Sequence, residues 1–362
     1  MEKRIYNFSA GPAVLPEPVL KEAQEQLFTL PGVGMSILEI SHRSKKFDEI
    51  IANAKKDIAD LLGVPDDYAI LFLQGGASLQ FSMVPMNLMP PVNKADYIVT
   101  GTWSQKAVKE AKRVGTVNIS ATTEAENFKR VPTQSELKLD PEAAYVHFTS
   151  NNTIFGTQWM SEPEVGNVPL ICDASSDILH KPLDIRKYGL IYAGAQKNIG
   201  PSGVVLVIIR KDLLERSQSS LHTMLNYKIQ AENDSLYNTP NTFGIYIISL
   251  VGKYLKGLGG LEAMYKMNQE KAGLLYDCID KSGGYFRGHA EKGSRSLMNI
   301  TFNLPSEELE KKLISEATKA GFDGLKGHRS VGGLRASIYN AFPKQGVVDL
   351  VDFMNAFMKN NG

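Results

Sequence analysis

The sequence predicts an α/β fold: a large domain on a mainly parallel sheet with one antiparallel strand, followed by a smaller α+β domain. Three observations predict it. Short apolar runs alternate with helical patterns from about residue 48 to 210, the signature of a largely parallel sheet buried on both faces. The last two runs lie too close together for a helical crossover, so the final strand must turn back antiparallel. After Gly283-Gly284 the texture changes to single strands and helices.

The apolar runs fall at 69–73, 97–100, 144–148, 170–172, 190–193 and 204–209. Between them, 105–114 reads as a helix, with Ala107, Val108 and Ala111 at helical spacing and Gly115 closing it. Only seven residues separate Ala195 from Gly203. Two long helices follow: 243–258, closed by Gly259-Gly260, and 261–281, with Met264, Met267, Leu274 and Leu275 on its faces. The stretch 297–304 alternates like a strand. Ser306 can cap a helix whose first turn holds Glu307 and Glu308 and which Gly321 ends. A strand over 334–338 and a helix over 347–358 complete the chain. The expected division is 15–257 for the large cofactor-binding domain and 258–362 for the small one, with 1–14 packing nearby.

At 362 residues, the chain is long enough for one large and one smaller core. A net charge of +1 leaves no electrostatic footprint for nucleic acid or an anionic membrane. The start, MEKRIYNFSAGPAVLP, lacks the apolar centre of a signal peptide, and no stretch approaches the ~20 apolar residues that span a bilayer. Cys172 and Cys278 show neither metal nor redox spacing, so a reducing, cytoplasmic setting is expected. The six histidines show no ligand spacing, and no metal is expected. Gly32-Val33-Gly34 lacks the third glycine of a dinucleotide fingerprint, and no GxxxxGK[ST] occurs.

Chemistry gathers at the carboxyl ends of the strands, where open α/β sheets bind ligands. The first run ends in Gln74-Gly75-Gly76-Ala77-Ser78, a small-residue turn opening a helix whose free amides can hold an anion. The others deliver Gly101-Thr102-Trp103, then Ser150-Asn151-Asn152-Thr153, Asp173 and Gln196-Lys197. A phosphate cradle, a flat aromatic, a buried carboxylate and a lysine are the parts pyridoxal phosphate requires. Trp103 can stack on the pyridine ring, Asp173 can keep its nitrogen protonated, and Lys197 can carry the aldehyde as an imine. Asp173 precedes Lys197 by 24 residues, one strand–connector–strand step, so both can reach one crevice.

The segments NFSAGPAVLP (7–16), SHRS (41–44), GTW (101–103), ICDASSD (171–177), AGAQKNIGP (193–201), YNTPNTF (237–243) and GHRSVGGLRASIYNA (327–341) together resemble the phosphoserine aminotransferases. These belong to the fold-type I, class V pyridoxal-phosphate aminotransferases. The resemblance implies a PLP-dependent transferase-type large domain with a seven-stranded-type sheet, and a homodimer with active sites at the subunit interface. It implies that Lys197 is catalytic and carries pyridoxal 5'-phosphate. Ala77 and Ser78 match the phosphate turn, Trp103 the stacking aromatic, Thr153 the contact to the ring hydroxyl, Asp173 the nitrogen partner and Gln196 a phosphate ligand. Asn238 and Thr239 match a pair reaching the cofactor phosphate from the other subunit.

For the substrate, His42-Arg43, His328-Arg329 and Arg335 can together take a phosphate and a carboxylate, arginine by bidentate contact. The resemblance makes Arg335 the α-carboxylate clamp, the two His-Arg pairs the side-chain anion site, and Ser9 an added hydroxyl. Some members carry arginine where this chain has Ser78. The implied reaction moves an amino group between L-glutamate and 3-phosphohydroxypyruvate, giving O-phospho-L-serine and 2-oxoglutarate. Two rivals stay open: an alanine–glyoxylate-type aminotransferase and a cysteine desulfurase-like lyase.

Overall fold

Helices form where apolar residues recur at helical spacing and a cap stands in front of them. In the helix Lys45–Leu62, Phe47, Ile50, Ile51, Ala54, Ile58 and Leu62 are buried, and the Ser44 hydroxyl accepts from the Phe47 amide at 3.3 Å. Gly63 ends it in the left-handed conformation (φ 62°), where a side chain would be strained. This helix lies along Thr242–Gly257, itself largely buried. Close approach depends on Gly252, where a Cβ would stand 2.8 Å from the Asp57 Cβ.

The computed structural model describes residues 4–362. Its centre is a seven-stranded sheet made of β1 (Tyr68–Leu73), β2 (Lys94–Val99), β3 (Thr116–Thr122), β4 (Val146–Thr149), β5 (Leu170–Asp173), β6 (Leu190–Gly194) and β7 (Val205–Arg210). The spatial order is β1-β7-β6-β5-β4-β2-β3. β7 pairs antiparallel with both neighbours, as the short 196–202 connection requires, and the remaining pairings are parallel. The six apolar runs are six of these strands. The seventh, β3, has no apolar run because it is an edge strand, mostly exposed or half-buried, with the composition TVNISAT.

Two core clusters cover the two faces of the sheet. One holds Lys45–Leu62 and Thr242–Gly257, the other Gly76–Leu88 and Thr102–Ala111. A third cluster packs around β8 (Arg287–Gly288), β9 (Asn299–Asn303) and β10 (Leu334–Ser337), with the helices Glu307–Lys319 and Lys344–Asn361. The helix Gly260–Lys281 joins the cores: Leu261 and Met264 lie in the first, Ala272, Leu275 and Ile279 in the third. Of the segment 1–14, residues 1–3 lie outside the described residues. Tyr6–Asn7 pairs parallel with Phe322–Asp323, and Phe8 is fully buried in the third cluster.

Gly252→Val should overpack the helix–helix contact at a cost of about 1–3 kcal/mol. A urea titration should show a lower midpoint with an unchanged slope; an unmoved midpoint would mean the two helices can separate freely.

Candidate active site

Lys197 stands in the tight connection between β6 and β7. The Ala195 amide donates to the Val204 carbonyl at 3.0 Å, and the Gly200 amide to the Ala195 carbonyl at 2.9 Å. The side chain points to the carboxyl ends of the parallel strands, where its Nζ donates to Thr153 Oγ1 at 2.6 Å and lies 5.4 Å from the Trp103 ring centroid. No ion pair reaches it among the described residues. Burial pulls its pKa down to about 8, with the Asp173 carboxylate opposing and the Arg335 guanidinium assisting. The N-terminal segment closes over its stem: the Ala13 amide donates to the Gln196 carbonyl at 2.9 Å, and a Cβ on Gly11 would sit 3.3 Å from Lys197 Cγ.

Asp173 ends β5 and is 4% exposed. Its carboxylate accepts from the Ser175 amide at 3.0 Å and forms no ion pair among the described residues. Burial raises its pKa. Nearby, Asp177 accepts from Ser150 Oγ at 2.5 Å and Gln158 Nε2 at 3.0 Å, which fixes the loops behind β4 and β5.

Two helices open at this end of the sheet without a side-chain cap, so their first-turn amides are not claimed by one. Gly75 precedes Gly76–Leu88 with φ 86°, and a Cβ there would strike Leu79 at 2.5 Å. Ala77 is half-buried and Ser78 exposed in this first turn. Gly101 precedes Thr102–Ala111, and its Cβ would overlap Asn152 Nδ2, which donates to the Thr100 carbonyl at 3.0 Å. That contact locks the end of β2 to the loop after β4 and aims Trp103 into the cleft. The Trp103 Nε1 is buried without a partner.

Arg335, on β10, reaches across from the third cluster. Its Nη1 donates to the Thr153 carbonyl at 3.4 Å, and its Nε is buried without a partner. Burial lowers its pKa. Thr153 therefore takes Lys197 on its hydroxyl and Arg335 on its carbonyl. His328 and Arg329 lie in the turn that leads into β10, with His328 Nδ1 2.8 Å from Ser330 Oγ. Burial lowers the His328 pKa, and the charges of Arg335, Arg329 and Lys106 lower it further, which places it in the same electropositive patch. Ser9 packs against Gly324, where a Cβ would come within 2.6 Å of the Ser9 amide.

Other predicted residues are not joined to Lys197 within one chain. Among the described residues, no hydrogen bond or ion pair connects His42 or Arg43 to Lys197, Thr153 or Arg335; the Arg43 amide donates to Ser41 Oγ at 3.2 Å. Asn238 and Thr239 sit beside the cradle of their own chain: Gln74 Nε2 donates to Asn238 Oδ1 at 3.3 Å and to the Thr239 carbonyl at 3.4 Å. Gln196 is half-buried next to Lys197. Sequence reasoning missed Lys106, whose Nζ lies 4.5 Å from the Trp103 ring centroid; its spacing of three from Trp103 was the available signal.

These residues fit a phosphorylated pyridine aldehyde. The uncapped helix starts can receive a phosphate, Trp103 offers a ring face, and Asp173 is a buried carboxylate with no ion pair among the described residues. Lys197 is a half-buried amine near neutrality. Such a sheet and site define a cofactor-dependent transferase. The class-V aminotransferase family matches residues 5–350, and the chain belongs to it. Within that family it falls among the phosphoserine aminotransferases. The one from Desulfosudis oleivorans is 58% identical over 364 residues, covering 100% of both chains. The structure of the enzyme from Bacillus circulans subsp. alkalophilus superposes with a TM-score of 0.98 at 50% identity, covering 100% of each. The PLP-bound enzyme from Trichomonas vaginalis gives 0.93 at 41% identity, covering 97% of this chain and 100% of that one.

In cofactor-free protein, Lys197 should react with an amine-directed reagent only as the neutral amine. Its labelling rate, followed by peptide mass spectrometry, should rise about tenfold per pH unit below a midpoint of about 8 and level off above it. A midpoint near that of a free lysine would contradict the burial argument.

Proposed function

We propose that this chain moves an amino group between L-glutamate and 3-phosphohydroxypyruvate, giving O-phospho-L-serine and 2-oxoglutarate, with pyridoxal 5'-phosphate as its cofactor. The observation that carries this is the shared contact at Thr153, which ties a half-buried lysine near neutrality to a half-buried arginine. Bound pyridoxal phosphate supplies the electron sink that makes ionisation of the substrate Cα–H accessible. Lys197 would carry the cofactor between turnovers. Asp173 would face the ring nitrogen and hold its proton, Trp103 would cover the ring face, and Thr153 would meet the ring hydroxyl. Ala77, Ser78 and Gln196 would take the phosphate.

The free Lys197 amine moves the proton at the substrate Cα, a general acid–base step worth about 10²–10⁴-fold. Its pKa of about 8 suits both taking and returning that proton. Arg335 clamps the α-carboxylate, and its unpartnered Nε leaves a donor free for it. His328 and Arg329, with His42, Arg43 and Ser9, form the site for the substrate's second anion. Two features support a homodimer in which each chain completes its partner's site. Among the described residues His42 and Arg43 have no hydrogen bond or ion pair to Lys197, and in the chain before them Phe28 and Leu38 are 90% and 63% exposed. Asn238 and Thr239 would then reach the partner's cofactor phosphate.

The separate third cluster supports a small domain over 258–362, joined to the large one through Gly260–Lys281. Cys172 and Cys278 are free and buried, which suits a cytoplasmic setting. It also disfavours a desulfurase, which needs a mobile cysteine; burial pushes both thiols up. An alanine–glyoxylate-type reaction would leave the His-Arg groups without a role.

Two measurements test this. Holoenzyme should turn over L-glutamate with 3-phosphohydroxypyruvate and be reversed by phosphoserine; if L-alanine serves as donor and phosphoserine does not, the substrate assignment falls. Arg335→Leu should lower kcat/KM for glutamate about 10- to 100-fold, the value of one charge-assisted contact. A smaller loss for glutamate than for an amine lacking the α-carboxylate would remove Arg335 from the clamp.

A further inference from the structure

Lys271 is 1% exposed in the helix Gly260–Lys281, and no carboxylate pairs with it among the described residues. Its Nζ instead faces four backbone carbonyls: Tyr339 at 2.7 Å, Ile338 at 3.1 Å, Phe342 at 3.2 Å and Asn340 at 3.4 Å. A neutral amine has two donors for these four acceptors, whereas an ammonium meets them as a cation meets a carbonyl cage. Burial works the other way, pulling the Lys271 pKa down to about 7.

The caged turn, 338–342, continues directly from β10, which carries Arg335. It is also bonded to the loops around Lys197. The Asn340 amide donates to Oδ1 of Asn198, the neighbour of Lys197, at 2.9 Å, and Asn340 Nδ2 donates to the Leu179 carbonyl at 2.7 Å. Tyr339 Oη donates to the Ala10 carbonyl at 2.7 Å. From one helical turn before Lys271, Asn268 Nδ2 donates to Asn340 Oδ1 at 2.9 Å and to the His180 carbonyl at 3.1 Å. One short turn therefore couples the strand of the carboxylate clamp to the loop of the reactive lysine.

We infer that Lys271 is a positioning residue: a tethered cation filling a carbonyl cage that locks residues 338–342 and so sets Arg335 relative to Lys197. This rests on the assignment of Arg335 to the substrate α-carboxylate.

Lys271→Ala removes Cγ through Nζ and leaves a channel with the outline of propylammonium. In the holoenzyme, KM for glutamate should rise about 10-fold while kcat stays within about 3-fold, because the clamp is displaced and the proton-transfer group is not. Propylammonium should return KM to within about 2-fold of the parent, and tetramethylammonium at equal ionic strength should not, having no N–H to donate. Hydrogen exchange over 334–342 should quicken in Lys271→Ala and slow again with propylammonium alone. Lys271→Met, which keeps the stem's volume, should raise KM similarly and resist rescue. Parental KM and exchange rates in either variant, or equal rescue by both cations, would overturn the inference. Should Lys271→Ala not fold, Lys271→Met decides alone. A parent enzyme that does not use glutamate at all would instead strike the functional assignment.

Discussion

The candidate active site depends on half-burying one lysine that has no carboxylate in ion-pair reach among the described residues. An unpaired buried ammonium is expensive, and the chain meets the cost by shifting the equilibrium toward the neutral amine. Thr153 gives Nζ a single hydroxyl acceptor at 2.6 Å, enough to orient it without stabilising its charge as a carboxylate would. The architecture around it follows. β7 must run antiparallel so that the ten-residue connection 195–204 can hold Lys197 at the sheet end. The N-terminal segment packs directly upon this connection at Gly11, and within it a Cβ on Gly200 would stand 2.9 Å from Ile248 Cγ1 and one on Gly203 2.6 Å from Asn241 Nδ2.

The second constraint is that Arg335, proposed to hold the substrate carboxylate, belongs to a different core from Lys197, proposed to move the proton. Arg335 is anchored in the third cluster, Lys197 in the sheet. The ties that cross the seam include Arg335 to the Thr153 carbonyl, Asn340 to Asn198, and the Gly260–Lys281 helix, which starts in one core and ends in the other. Much of the catalytic geometry is therefore a property of the seam. The seam residues Asn198, Asn268 and Asn340 are buried and polar because each donates to a backbone carbonyl of the 178–180 loop, those of Ile178, His180 and Leu179 respectively.

Strand ends were legible because buried parallel strands leave unmistakable apolar runs, and chemistry follows each run within a few residues. The cradle, Trp103, Thr153, Asp173 and Lys197 were all found that way. β3 escaped because an edge strand facing solvent needs no apolar run; its middle reads as loop until β2 supplies a ladder. Lys271 escaped for the opposite reason. In an amphipathic helix beside Glu270, a lysine reads as part of a solvated face, and only the fold brings four carbonyls around it. His42, Arg43, Asn238 and Thr239 carry no local periodic signal at all, and a single chain gives the first two no catalytic neighbour.

The charge inventory explains how a site with an exposed hydroxyl at Ser78, rather than the arginine of some relatives, still favours an anion. Arg335, Arg329 and Lys106 all bear on His328, which burial has already biased toward the neutral imidazole. In the absence of ligand this arrangement avoids stacking a further positive charge in a half-buried patch. A phosphate held there, as proposed, would oppose that bias and favour the protonated imidazole. A bias toward the neutral imidazole also spares Lys197, whose pKa the Arg335 guanidinium already lowers, a further positive charge nearby.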